Sequence, residues 1–188
     1  MESRQKEGKE GKEGKYGMAV YRLTYGQTDS EWTEFVDKVE AHVSDWDKGH
    51  AGSSAIKENL TLYWLDGTKL GISEGDVDAS KENFKNSSDD SSQLEDGAFL
   101  VVDSASFASY MTKSYSPATS QLIPGEFAGF LLAVDPEFDP EEGITRPDES
   151  PGYNDQIRIL GSLVWRDLYS LLCSQTSYLE DHWPLASR

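Results

Sequence analysis

One cysteine, Cys173, in 188 residues leaves no internal disulfide to form. A secreted domain of this size would ordinarily carry several, so a reducing, cytoplasmic setting is expected. Basic residues are also scarce: 17 Lys and Arg stand against 34 Asp and Glu, a formal net charge of −17. Nucleic acid and anionic membrane surfaces are bound through basic stripes that neutralise phosphates, so neither is expected as a partner. No apolar run approaches the roughly 20 residues that a membrane span needs, and residues 1–15 are charged with no apolar core behind them, unlike a signal peptide. The three histidines, His42, His50 and His182, stand without a second His, Cys or Glu at ligand spacing, so neither a metal nor another cofactor is expected.

What the chain does have is aromatic residues, 11% of the total with five Trp and nine Tyr, enough for a core. Its length suits one domain. Lys6-Glu7-Gly8 recurs as Lys9-Glu10-Gly11 and Lys12-Glu13-Gly14, a period with no apolar group to bury, so residues 1–15 read as a disordered charged tail. Residues 16–188 read as a single α+β domain with acidic loops at 86–96 and 135–155.

Residues 16–25 are rich in β-branched and aromatic side chains and predict a strand. Thr28 and Glu31 form a capping-box pattern, and Trp32, Phe35, Val36, Val39, Val43 and Trp46 follow at helical spacing, with a stop at Asp47-Lys48-Gly49. Residues 59–65 predict a second strand closing on Asp66-Gly67, a pair that could equally be a hairpin tip. A charged helix with little to bury is expected at 77–84. The unalternating run 98–103 predicts a central strand covered on both faces, followed by a short helix through Phe107, Tyr110 and Met111. A second buried strand, 127–134, closes on Asp135. Ile157 and Ile159 alternate with polar residues in a strand at 156–160, followed by a helix at 163–172; one helix over 154–173 is the competing reading. Leu179, Trp183 and Leu185 are expected to fold back as an arm. The order suits an α+β sandwich, ferredoxin-like in style, with a four- to five-stranded mixed or antiparallel sheet and helices over one face.

Tyr16-Gly17, Val20-Tyr21-Arg22, Tyr25 and Trp32, then Leu65-Asp66, Leu70-Gly71, Phe84, the 100–103 strand, Ile157-Arg158-Ile159, Leu168-Tyr169 and Trp183 resemble a group of small uncharacterised proteins of filamentous fungi. The resemblance covers most of 16–185. It implies this element order and an intracellular fungal setting, and brings no activity and no catalytic residue.

Several constellations bear on chemistry. Gly71-x-Ser73-x-Gly75 matches the nucleophile-elbow pattern, but Ser73 trails its strand by several residues and precedes a weakly apolar segment. Asp135, Glu137, Asp139 and Glu141 alternate as calcium ligands do, without the central Gly and with Pro136 and Pro140 between them, so a solvated acidic loop is the default. Asp66, Asp103 and Asp135 each end a strand. If the strands run in one direction, the three carboxyls share a rim, where a raised pKa would suit acid-base work; the plainer role is capping and turn formation. Asp66, Asp103, His42 and Tyr21 are accordingly the candidate acid-base residues, and Tyr21, Tyr25, Trp32, Tyr63 and Trp64 the candidate lining of an apolar ligand site.

The leading expectation is non-catalytic binding of a protein partner or small apolar ligand through an aromatic-lined face. The alternative is a cofactor-independent small-metabolite enzyme of the isomerase or cyclase type, with a strand-end Asp or a Tyr as acid or base. A basic protein partner held through the acidic loops, and a homodimer, complete the set of partners considered.

Overall fold

Strand β1 (Tyr16–Arg22) is buried from Gly17 through Tyr21 because it has a strand on either side. The computed structural model describes residues 16–44, 58–87, 94–95, 97–111, 129–138, 153–174 and 178–182. After β1 come α1 (Asp29–Val43), β2 (Leu60–Asp66), α2 (Val77–Ser87), β3 (Phe99–Val102), α3 (Ser104–Met111), β4 (Phe130–Val134) and β5 (Gln156–Leu160). A helical run follows, 3-10 over Gly161–Leu163, π over Val164–Tyr169 and α over Ser170–Cys173, and the last described element is a 3-10 turn at Leu179–His182. Residues 156–173 are therefore a strand followed by helix, not one helix. None of the helices among the described residues is long and apolar enough to cross a membrane.

The fold is α+β. Its five strands lie in the order β2-β1-β3-β4-β5, with β1 parallel to both β2 and β3, and β4 antiparallel to β3 and β5. The ferredoxin-like arrangement is not found: in a split β-α-β the parallel pair is separated by another strand, whereas β1 and β2 are neighbours.

The helices lie on both faces of the sheet rather than one. α1, α3 and the C-terminal helical run cover the face that carries Met18, Val20, Leu100, Val102, Leu131 and Ala133. Phe84 of α2 packs on the opposite face with Ala19, Tyr21, Phe99, Val101 and Val134. Topology explains the difference. The crossover from β1 to β2 moves one way along the sheet and that from β2 to β3 moves back past β1, so two crossovers of the same hand must pass on opposite faces.

α1 begins as its sequence requires. The Glu31 amide donates to Thr28 Oγ1 (3.3 Å) and the Thr28 amide to Glu31 Oε2 (2.9 Å), and Phe35, Val39, His42 and Val43 form the buried face. The predicted tail 1–15, the helix stop at 47–49 with Trp46, His50, most of the 86–96 and 135–155 loops, and the arm at Trp183 and Leu185 lie outside the described residues.

Candidate functional site

The chain leaves β1 for the face covered by α1 and leaves β2 for the face covered by α2. In open α/β sheets such a divergence opens a ligand crevice between the carboxyl ends of the strands. Here the crevice is stitched shut by the loop that follows β2. Gly67 N–H donates to Arg22 O (3.2 Å), Gly75 N–H to Leu23 O (2.9 Å) and the Tyr25 hydroxyl to Ile72 O (2.9 Å), while the Thr24 hydroxyl donates to Glu74 Oε1 (3.3 Å). Ser73 sits exposed in this loop, between Gly71 and Gly75 at φ of 74° and 73°. The glycines serve turns, Ser73 lies seven residues beyond β2, and no strand-to-helix elbow forms.

Because β2, β1 and β3 run in parallel, Asp66 and Asp103 do come to the same rim. Asp135 does not: β4 is antiparallel and puts it at the opposite rim, so the condition under which all three would gather is not met. Asp66 Oδ1 accepts from the Thr68 hydroxyl (2.7 Å) and amide (3.1 Å); the hydroxyl bond, with help from that amide, Arg22 and Lys69, holds its carboxyl below the usual range. Asp103 Oδ1 accepts the Ser106 amide (2.6 Å) and caps α3. Both carboxylates have the structural employment that turns and caps offer. Replacing Asp103 by Ala is expected to cost about 1 kcal/mol in urea unfolding, and replacing it by Asn a few tenths, since only the amide retains a capping oxygen.

His42 is 6% exposed, with Nδ1 3.0 Å from the Tyr110 hydroxyl. A methyl group on Gly161 would lie 2.6 Å from Nδ1, so the imidazole packs closely against the start of the helical run. Tyr21 lies on the opposite face of the sheet, donates to Asn83 Oδ1 (2.9 Å) and is pushed up to about 12 by burial, so its phenol stays protonated near neutrality.

The five candidate lining aromatics are divided between the two faces. Trp32 and Trp64 meet edge to face at 5.8 Å and close around Phe35 on one side, with Arg22 stacked on Trp32 at 4.3 Å. Tyr21 and Tyr63, one register step away on neighbouring strands, lie on the other side, and Tyr25 is in the stitched rim. They form no common wall.

The described cavity lies at the other rim, where β4 ends and β5 begins. It measures about 320 Å³ and is lined by Asp78, Lys81, Glu82 and Lys85 of α2 with Pro136, Phe138 and Asp155 opposite. The 135–155 excursion is drawn together at its neck beside this cleft. Asp135 N–H donates to Asp155 O (2.9 Å), Tyr153 Oη to Asp135 Oδ2 (3.5 Å), and the rings of Phe138 and Tyr153 meet edge to face at 5.4 Å. Lys81 pairs with Asp155 across the cleft, both side chains nearly buried, and its ammonium lies 5.7 Å from the Phe138 ring centre. Asp155 adopts φ 72°, the left-handed region that Asp tolerates better than most residues. Lys85 reaches Glu137 at 3.8 Å. No cation among the described residues pairs with Asp78 or Glu82.

Burial pushes the Asp135 carboxyl above its ordinary 3.8, against the pull of the Glu137 amide and of Lys81. Burial, with Asp135 and Asp155 nearby, also raises the Tyr153 phenol. A carboxyl raised in the folded state binds its proton more tightly there, so between the ordinary and the raised value Asp135 makes the protein more stable as pH falls. Asp135→Asn is expected to remove that slope and to raise the melting temperature at neutral pH, read from thermal melts across the acidic range.

The residues of this cleft carry little signal in sequence. The one trace is Asp78-x-x-Lys81-Glu82-x-x-Lys85, whose spacing sets two acids and two bases along one side of α2. No protein-family model matches the chain, and no curated protein or solved structure matches it.

Proposed function

We propose that the protein is a non-catalytic binding protein, and that its cleft between α2 and the 135–155 neck receives a Lys or Arg side chain of a basic protein partner. One observation carries the reading: both cleft lysines are paired across to the far wall, Lys81 with Asp155 and Lys85 with Glu137, while Asp78 and Glu82 have no cation among the described residues. A guanidinium or ammonium entering there would meet two unneutralised carboxylates, with the Phe138 face as a cation–π platform. The net charge of −17 would steer such a partner towards the protein. A small apolar ligand fits less well, because the cleft has only Phe138 and Pro136 as apolar lining, and the Trp32–Trp64 cluster is filled by Phe35.

The test uses a fluorescent Lys/Arg-rich peptide and its uncharged counterpart in anisotropy titrations. Only the basic peptide should bind, more weakly as salt rises, and Asp78→Asn with Glu82→Gln should weaken it about tenfold. Glu34→Gln with Asp37→Asn on α1 is the control for diffuse charge attraction. Equal losses from the two double variants would overturn the reading.

The alternative, a cofactor-independent enzyme, is supported by Asp135, a half-buried strand-end carboxyl with a raised pKa and a phenol against it. Asp135→Asn separates the two readings, since it should leave peptide binding intact.

A further inference from the structure

Strand β2 is an edge of the sheet. Its pairing with β1 runs the full length from Tyr16↔Leu60 to Arg22↔Asp66. The Tyr16 amide donates to Asn59 O (2.8 Å) and the Gly67 amide to Arg22 O (3.2 Å), one at each end of the strand. In a parallel ladder, alternate residues bond to the neighbour. These two bonds therefore turn the backbone groups of Thr61, Tyr63 and Leu65 towards β1, and those of Leu60, Leu62, Trp64 and Asp66 outwards. Among the described residues the outward N–H and C=O groups of Leu60, Leu62 and Trp64 and the Asp66 N–H are unpaired, while the Asp66 carbonyl accepts from the Lys69 (3.0 Å) and Leu70 (3.3 Å) amides of the following turn.

Edge strands are ordinarily blunted by lysine, proline, a bulge or a charge in mid-strand. The other edge, β5, has Arg158 at its centre. β2 reads Leu60-Thr61-Leu62-Tyr63-Trp64-Leu65, with no charge before Asp66, and most of its residues are half-buried rather than buried.

We propose that β2 is a dimer seam: two copies of the chain pair their β2 strands antiparallel about a two-fold axis through Tyr63, making one ten-stranded sheet. This register alone pairs all four outward residues of β2 with one another, setting Leu60 opposite Asp66 of the second copy and Leu62 opposite Trp64, so that the Leu62–Trp64 bonds at its centre form in both directions. It is also the register that keeps the charges apart, since each Asp66 faces a leucine and not the other carboxylate. On the face covered by α1, Trp64 of each copy lies over Leu62 of the other, an aromatic–aliphatic pair of the kind that stabilises cross-strand contacts. The proposal does not depend on the basic-partner reading, which concerns the opposite side of the molecule's chemistry and the cleft at α2.

The whole chain is examined by sedimentation equilibrium from about 1 µM to about 100 µM, the span in which a single strand pairing of moderate strength would be detected. A monomer–dimer equilibrium is expected that tightens as salt rises, because screening relieves the repulsion between two strongly acidic copies. Peptide capture in the cleft has the opposite salt dependence, so the two results cannot be confused. Amide exchange on the unaltered protein supplies the positional readout: the Leu62 and Trp64 N–H groups should exchange at least tenfold more slowly at the high concentration than at the low one. Leu62→Pro, which removes an outward donor without removing a bond to β1, should leave a folded monomer. A chain that stays monomeric throughout, or a dimer in which those two amides exchange as fast as in the monomer, overturns the proposal. The wild-type exchange measurement decides it even if Leu62→Pro does not fold.

Discussion

Phe35→Ala is expected to lower the free energy of unfolding by about 4 kcal/mol, within the range for deleting a fully buried aromatic ring. Phe35 has no exposed surface, and its ring is the hub of the core on the α1 side. Trp32 stacks on it at 5.2 Å, Phe107 lies at 5.1 Å, and Trp64 and Tyr110 meet it edge to face at 6.4 Å and 5.4 Å. Four rings from β2, α1 and α3 would be left around a void that none can fill alone. Urea unfolding followed by tryptophan fluorescence measures the loss, and an unchanged m-value would show that the unfolded reference is unaffected. A cost of only about 1 kcal/mol would mean that the rings can relax into the space, as the walls of a ligand cavity would.

Lys81→Met is expected to destabilise the protein by about 3 kcal/mol, since removing one member of a buried ion pair strands the other. The stranded group is Asp155, whose side chain is 13% exposed and whose backbone is at φ 72°. Asp155→Gly in the same background deletes the orphaned charge and relaxes the left-handed backbone. The double variant should therefore regain more than about 1 kcal/mol over Lys81→Met alone, a coupling that a double-mutant cycle in urea unfolding resolves. Additive effects would mean that the pair contributes nothing beyond two independent side chains.

How far the sequence could be read differs between fold and site. Thr28, Glu31 and the spacing of Phe35, Val39 and Val43 announce α1 because local hydrogen bonds and one buried stripe suffice to make it. Phe99 to Val102 reads as a covered strand because an unbroken apolar run needs both faces buried. The sheet order was not legible, since nothing in the composition of β4 distinguishes an antiparallel strand from a parallel one, and with its direction went the location of Asp135. Placing α2 on the second face also depended on topology: Ser80 and Phe84 are all that it buries, too little for its pattern to reveal a partner. The cleft was harder still. Lys81 and Asp155 are 74 residues apart, and only the neck formed by Asp135 and Tyr153 brings them together. His42 and the five aromatics, conspicuous as residue types, belong to packing, hydrogen bonding and the rim.

The parallel placement of β1 between β2 and β3 also bears on how the chain is made. Val20 must wait for Leu100, 80 positions later, before its second neighbour exists. At ordinary synthesis rates that interval lasts about 4 to 16 s. Throughout it, β1 can shelter behind α1 and later β2, but one whole side of its backbone has no strand to bond to. The nascent chain therefore carries an unfinished sheet edge out of the ribosome, and when residues 99–102 emerge that edge passes from β1 to β3, which stays open to aggregation or chaperone capture until Phe130–Val134 pairs with it.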